Sequence, residues 1–418
     1  MNKVVQPFKY NGKIVANYSK SYLQRALVLS SISEGASILS GFDYSKDVQA
    51  AMALIQNLGA KVRIEKNTLI ITGNPSSARV EKVSLHVGES GLLLRMIAPI
   101  ASVLSLESNI TGQGSLLKRD MLSLKNNLGK NGLTIVLENN SLPMSIQGSL
   151  LKDQWQIDAS EGSQLLSGLL MSLPLLGKSH KIEVSNLVSI PYIDLTLELM
   201  KKFGVNIDQD HYKSFSYQNE SNYIAAKIEV EGDWSGAANH LVGAAISGAL
   251  DLDGLQVNSK QADKAILTAL KDFGAIVEWR GTTLHIKRNH LFPFSFDASD
   301  SPDLFPPLSV LASAAIGTSE IKGLHRLTNK ESNRQNSCVA LLEALGVQYR
   351  IQDDSLLIDG KGSVKGGTIA TFNDHRIAMA GAIAAGISKQ AITIENRTCV
   401  EKSYPEFFKD LEKATVSF

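Results

Sequence analysis

The feature of this sequence that most limits its fold is a phrase that returns five times. A helical run is stopped by Leu-Gly or Phe-Gly, and two short strand-like runs follow. The glycines are Gly59, Gly129, Gly204, Gly274 and Gly346, at steps of 70, 75, 70 and 72 residues. After Gly59 come Val62-Arg63-Ile64 and Leu69-Ile70-Ile71; after Gly274 come Val277-Glu278-Trp279 and Leu284-His285-Ile286. Glycine stops a helix because it takes the left-handed conformation without a Cβ penalty, and period-2 hydrophobicity marks a half-buried strand. Each repeat reads as an αββ unit, and a fixed period means copies of one supersecondary unit.

A sixth copy is due one period after Gly346, but the sequence ends at Phe418, where its strands should begin. Lys3-Val4-Val5 and Lys13-Ile14-Val15, joined by a turn at Asn11-Gly12, read as a hairpin that completes this last unit from the other end. Six units divide into two domains of three: residues 1–18 plus 231–418, and residues 19–230. The boundary falls where Ala226–Val230 meets Glu231-Gly232-Asp233-Trp234, Asp233 capping the next helix. A cleft between two such domains is the default ligand site. The competing architecture, one rigid solenoid of six repeats, would normally use shorter repeats.

Lysine and arginine total 42 against 41 acidic residues, so no net field favours nucleic acid or an anionic membrane. The N-terminal ten residues lack the apolar core of a signal peptide, and the two cysteines, Cys338 and Cys399, suit a reducing cytoplasm. No metal-ligand spacing, phosphate-binding loop or dinucleotide fingerprint occurs, so neither metal nor cofactor is expected.

Chemistry is instead written at helix starts, which bind anions through free N–H groups and the helix dipole. Ser19-Lys20-Ser21 precedes Arg25 on the same helix face. Gly88-Glu89-Ser90-Gly91 leads into Leu92–Leu104 with Arg95, and Arg119 follows. Ser160-Glu161-Gly162-Ser163-Gln164 and Ser189-Ile190-Pro191-Tyr192 open two more helices, Ser160 reading as a plain N-cap. Thr328 and Glu331 fit a capping box, which leaves the like charges of Lys330 and Arg334 to be explained by an anion between them. Asn373-Asp374-His375-Arg376 opens the apolar helix Ile377–Ile387, and Lys402 precedes Ser403-Tyr404-Pro405. Each cluster alone could be a solvated helix start.

In this order, from Lys20 to Pro405, the clusters resemble the 5-enolpyruvylshikimate-3-phosphate synthase family of enolpyruvyl transferases. Further matches are Glu231-Gly232-Asp233, Pro302-Asp303 and Lys330-Glu331-Ser332-Asn333-Arg334. The resemblance implies an α/β fold of two inverse-barrel-like domains, each of three βαβαββ units around buried parallel helices. It implies transfer of the enolpyruvyl group of phosphoenolpyruvate to the 5-hydroxyl of shikimate 3-phosphate, releasing phosphate, by a cytoplasmic monomer. Asp303 would be the base and Glu331 the acid, with Lys20 and His375 assisting. Lys20, Gly91, Arg119, Gln164, Arg334, Arg376 and Lys402 would hold phosphoenolpyruvate. Lys20, Ser21, Arg25, Ser163, Gln164, Ser189, Tyr192, Asp303 and Lys330 would hold shikimate 3-phosphate.

The sequence departs from the family pattern at Glu89 and Leu92, where an amide and a threonine are usual, and at Gly162, where a serine is. Arg326 replaces an asparagine that often contacts shikimate, and Thr328 replaces an arginine. The related transferase acting on UDP-N-acetylglucosamine would place a cysteine between Gly114 and Arg119, where none occurs. RNA 3′-phosphate cyclase, with related repeats, would want nucleic-acid contacts that the neutral charge balance disfavours. A non-catalytic anion-binding protein would gain nothing from Asp303 and Glu331 among its cations.

Overall fold

The glycine stops shape the fold nearly as the period suggests, with one change of residue. The computed structural model describes residues 1–74, 80–148, 150, 152–218 and 221–417. Gly59, Gly204, Gly274 and Gly346 have φ between +70° and +94°, each ending a helix. Gly129, by contrast, lies inside the helix Leu122–Lys130, and Gly132 takes the left-handed position at φ +104°. With Gly132 in place of Gly129 the steps become 73, 72, 70 and 72, a tighter period.

The chain forms two compact units, Met1–Ser19 with Glu231–Phe418, and Lys20–Val230. The described residues make six sheets, and in each one strand pair is parallel while the others are antiparallel. In Lys20–Val230, for example, Val80–His86 runs parallel to Ser105–Thr111, which pairs antiparallel with Ser141–Gly148 and so with Leu133–Glu138. Alternating burial along these strands turns one face to the helices and the other to solvent.

The expected N-terminal hairpin does not form. Phe8–Val15 is one strand running straight through Asn11-Gly12, and it pairs with Ala249–Asp253 and Thr415–Ser417. Gly12 answers a packing demand: a Cβ there would lie 2.9 Å from Ala414 Cα and 3.0 Å from Lys413 O. Only Lys3–Val5 completes the last unit, by pairing with Ile392–Ile394.

Each unit is centred on three helices, all in mutual contact in one unit and joined through the middle one in the other. In the unit holding both chain ends these are Trp234–Ser247, Phe305–Ala314 and His375–Ile383, and only Ser235 among their residues is not buried. In Lys20–Val230 they are Lys20–Ser31, Gly91–Leu104 and Gln164–Ser172. A helix apolar on every side has to be buried, and glycine lets such helices approach. At Gly168 a side chain would overlap the backbone of Met96, and at Gly243 it would overlap the ring of Tyr10. No described helix is long and apolar enough to cross a membrane.

Candidate active site

In Lys20–Val230 the helix starts named above are joined by a continuous set of polar contacts. Lys20, the first residue of its helix, places Nζ 2.9 Å from Asp47 Oδ2, both side chains largely buried. Gln24 Nε2 donates to the Asp47 carbonyl at 3.0 Å and to Ser90 Oγ at 3.0 Å. Ser90 in turn caps the next helix by accepting from Leu93 N at 3.2 Å. That helix opens at Gly91, where a Cβ would sit 2.5 Å from Arg119 Nη1 and 2.9 Å from Arg95 Nη1. Two guanidinium groups thus crowd a helix N-terminus that only glycine leaves open to them.

Arg95 Nη1 reaches Gln164 Oε1 at 3.5 Å, which brings in the third helix. Its cap is Ser163, not Ser160; the Ser160 amide donates instead to Asp158 Oδ1 at 3.0 Å. Ser167 Oγ donates to the Ser163 carbonyl and lies 2.9 Å from Thr196 Oγ1. Thr196 accepts from Arg25 Nε at 2.9 Å, while Arg25 Nη1 donates to the Ser21 carbonyl at 2.8 Å. The Arg25 guanidinium stands 5.6 Å from the Tyr192 ring centre. Burial pushes the Arg25 pKa down to about 10, with Tyr192 opposing. Ser189 precedes Ile190–Lys202 with φ +58°, and its carbonyl accepts from Tyr192 N at 3.1 Å.

In the other unit a single arginine organises the carboxylates. Arg334 is 0% exposed, and its Nη1 donates to Asp303 Oδ1 at 2.7 Å. Its Nη2 donates to Glu331 Oε2 at 2.6 Å, and its Nε to Asp374 Oδ2 at 3.0 Å. Arg376 takes the remaining oxygen of Asp303 at 2.7 Å. Burial alone would raise the Asp303 pKa, but Arg376, Arg334 and Lys330 outweigh it and hold the carboxyl well below its usual range. Arg334 is raised despite its burial, by Asp374, Glu331 and Asp303.

The capping box expected at Thr328 and Glu331 is absent. The helix begins at Arg334, capped by Asn333, whose Oδ1 accepts from Asn336 N at 3.3 Å. Glu331 therefore points its carboxylate at Arg334, and Lys330 lies in the preceding loop rather than one helical turn from Arg334. Burial brings the Lys330 ammonium down to about 8, with Arg334 and Arg326 adding to it and Asp303 opposing. Arg326 is fastened to the Ser299 carbonyl at 3.2 Å.

Asp374 caps His375–Ile383 through Arg376 N at 3.0 Å, and places Oδ1 3.8 Å from Nδ1 of the buried His375. Lys402 is buried at the end of Arg397–Lys402, a turn packed against that same helix.

Four participants were not assigned roles from sequence. Asp47 and Thr196 belong to no motif; only the fold brings them to Lys20 and Arg25. Asp374 belongs to the helix start Asn373-Asp374-His375-Arg376, a position that marks it as a cap. Asp263, fully buried and hydrogen-bonded by Ser235, has its pKa pushed up to about 7 by burial and then by Asp303, Arg376 opposing.

Residues 4–411 match the family described as EPSP synthase (3-phosphoshikimate 1-carboxyvinyltransferase). A 3-phosphoshikimate 1-carboxyvinyltransferase of Clostridium kluyveri is 34% identical over 407 residues, 97% of this chain and 95% of the relative. One from Methanocorpusculum labreanum is 34% identical over 417 residues, covering 99% and 98%. An EPSP synthase structure from Acinetobacter baumannii superposes with a TM-score of 0.81 at 26% identity, over 100% of this chain and 98% of that one. The expected architecture of repeated α/β units is the one found, and the chain belongs to the EPSP synthase (3-phosphoshikimate 1-carboxyvinyltransferase) family.

Proposed function

We infer that this protein transfers the enolpyruvyl group of phosphoenolpyruvate to the 5-hydroxyl of shikimate 3-phosphate, two small-molecule substrates, with release of phosphate. The observation that carries the residue roles is Asp303 gripped by Arg334 and Arg376. The reaction adds a hydroxyl oxygen to C2 of phosphoenolpyruvate while C3 gains a proton, then expels phosphate as C3 gives a proton back. It needs a base at the hydroxyl, an acid at the methylene carbon, and cations for a carboxylate and two phosphates.

Asp303 is the base in this reading and Glu331 the acid, with Lys20 and His375 assisting. A carboxylate held by two guanidinium groups binds protons poorly. When the substrate carboxylate takes over the forks of Arg334 and Arg376, Asp303 loses the charges that depress its pKa. Its basicity rises as phosphoenolpyruvate binds, so the base is armed only with substrate in place. Lys20, Gly91, Arg119, Gln164 and Lys402 complete the phosphoenolpyruvate set. Arg25 with Tyr192, and Ser21, Ser163, Gln164, Ser189 and Lys330, suit shikimate 3-phosphate: a guanidinium and an ammonium for its phosphate, hydroxyls and an amide for its ring. We take the protein to act as a cytoplasmic monomer.

The test is phosphate release from phosphoenolpyruvate with shikimate 3-phosphate or UDP-N-acetylglucosamine as acceptor. Turnover with the first and none with the second is expected; the reverse would overturn the assignment.

A further inference from the structure

Glu89 stands one residue before the cap of the helix Gly91–Leu104, where a carboxylate would oppose an incoming anion. Its side chain lies instead against the turn Gly114–Lys118. Glu89 Oε2 accepts from Ser115 N at 3.3 Å and from Ser115 Oγ at 3.1 Å. Gly114 leaves it room: any side chain there would overlap the Glu89 carboxylate, and the backbone is left-handed at φ +58°. The flanking backbones are joined as well, Gln113 N donating to Gly88 O at 2.9 Å and Val87 N to Thr111 O at 3.0 Å.

The turn ends at Arg119, whose amide donates to Leu116 O at 3.2 Å and whose guanidinium reaches back over Gly91. The contacts therefore close a ring: Glu89 holds Ser115, the turn carries Arg119, and Arg119 returns to the helix that Glu89 precedes. The middle of the turn is packed, Leu116 being fully buried, while Leu117 is exposed. A cavity of about 430 Å³ opens there, lined in part by Thr111, Gly112, Leu117 and Leu142. Leu116 anchors the middle of the turn by packing, and the Glu89 tie at Ser115 holds its start.

We propose that Glu89 is a positioning residue for phosphoenolpyruvate: by binding Ser115 it fixes the turn Gly114–Lys118 and so presents the Arg119 guanidinium at the helix start. The proposal rests on Arg119 as a phosphoenolpyruvate anchor. It turns a departure from the family pattern into a part of the site, since the carboxylate is spent on Ser115 and not aimed at the substrate.

The experiment compares Glu89→Ala, Glu89→Gln, Arg119→Ala and the double variant Glu89→Ala/Arg119→Ala. KM for each substrate is read by phosphate release, with thermal unfolding to show that each variant folds. Losing two hydrogen bonds to a charged acceptor should raise KM for phosphoenolpyruvate about 10-fold in Glu89→Ala, leaving KM for shikimate 3-phosphate within about 2-fold. Glu89→Gln keeps an acceptor for Ser115 and should stay within about 3-fold of the parent. The double variant should be no worse than Arg119→Ala.

If Arg119→Ala raises that KM while Glu89→Ala does not, the positioning role is wrong and the anchor stands. Equal damage in Glu89→Gln and Glu89→Ala, or equal rises for both substrates, also overturns the role. An unchanged KM in Arg119→Ala overturns the anchor reading and the proposal with it.

Discussion

Arg376 Nη2 and Asp303 Oδ2 lie 2.7 Å apart although 73 residues separate them in the chain, and Arg334 holds the other oxygen at the same distance. The base of the proposed reaction is thus stored as an ion pair with the arginines proposed to bind its substrate. Five experiments follow from this cluster and its counterpart in Lys20–Val230.

Asp303→Asn keeps the shape of the carboxyl group and removes its charge. Turnover should fall at least about 10²-fold, as loss of a general base requires. Binding of phosphoenolpyruvate, measured by calorimetry, should hold or tighten, because two guanidinium groups are released. Turnover within 10-fold of the parent would refute the assignment.

Arg334→Met takes the arginine from Glu331 and Asp374 and leaves Asp303 to Arg376 alone. Removing one partner from a buried ion cluster typically costs about 3–5 kcal/mol. Urea unfolding should show a loss of that order in the unit that contains Asp303. A change below about 1 kcal/mol would mean that water or neighbouring groups already satisfy the carboxylates.

Gly91→Ala introduces a methyl group 2.5 Å from Arg119 Nη1. The far end of a long side chain can step aside, so the unfolding midpoint should barely move. The displaced guanidinium should nonetheless raise KM for phosphoenolpyruvate by roughly 10-fold, the value of one lost charge-assisted hydrogen bond. A drop in stability with an unchanged KM would contradict this.

Asp263 titrates near 7 when folded and near 3.9 when unfolded. Between those values the folded state holds the extra proton, so stability falls as pH rises from about 4 to 7 and levels off above. Asp303 contributes in the opposite sense, but only below about pH 4, where the unfolded chain takes up a proton that the folded state still excludes. Asp263→Asn should therefore flatten the curve between pH 5 and 6 by up to about 1.4 kcal/mol per unit. Parallel curves for parent and variant would show that Asp263 ionises normally.

Lys330 loses its proton near pH 8. If it holds the phosphate of shikimate 3-phosphate, affinity should decline by roughly 10-fold between pH 7 and pH 9. Lys330→Arg stays charged over that range, and its binding curve should be flat by comparison. Identical pH dependence in both would place the phosphate elsewhere.

Much of the site was legible because its residues cluster at helix starts, which are local in sequence. Lys20, Ser21 and Arg25 occupy one turn and a half of one helix, and their spacing alone places them together. Local reading failed where two local explanations competed. Thr328 and Glu331 have the spacing of a capping box, yet Asn333 caps the helix, and Glu331 is drawn to Arg334 by a charge that a capping pattern ignores. Asn11-Gly12 has the composition of a turn, yet Gly12 is there because Ala414, some four hundred residues on, comes too close for any side chain.

The sequence by itself determined the repeating α/β units and the order of the polar helix starts, since caps, glycine stops and hydrophobic period act within a few residues. Tertiary structure alone decided the partners: Asp47 for Lys20, Thr196 for Arg25, Asp303 for Arg376, and Ser115 for Glu89. The reason is electrostatic. An exposed ion pair is worth little, whereas a desolvated charge that loses its partner costs about 3–5 kcal/mol, and only the packed fold sets both the burial and the distance.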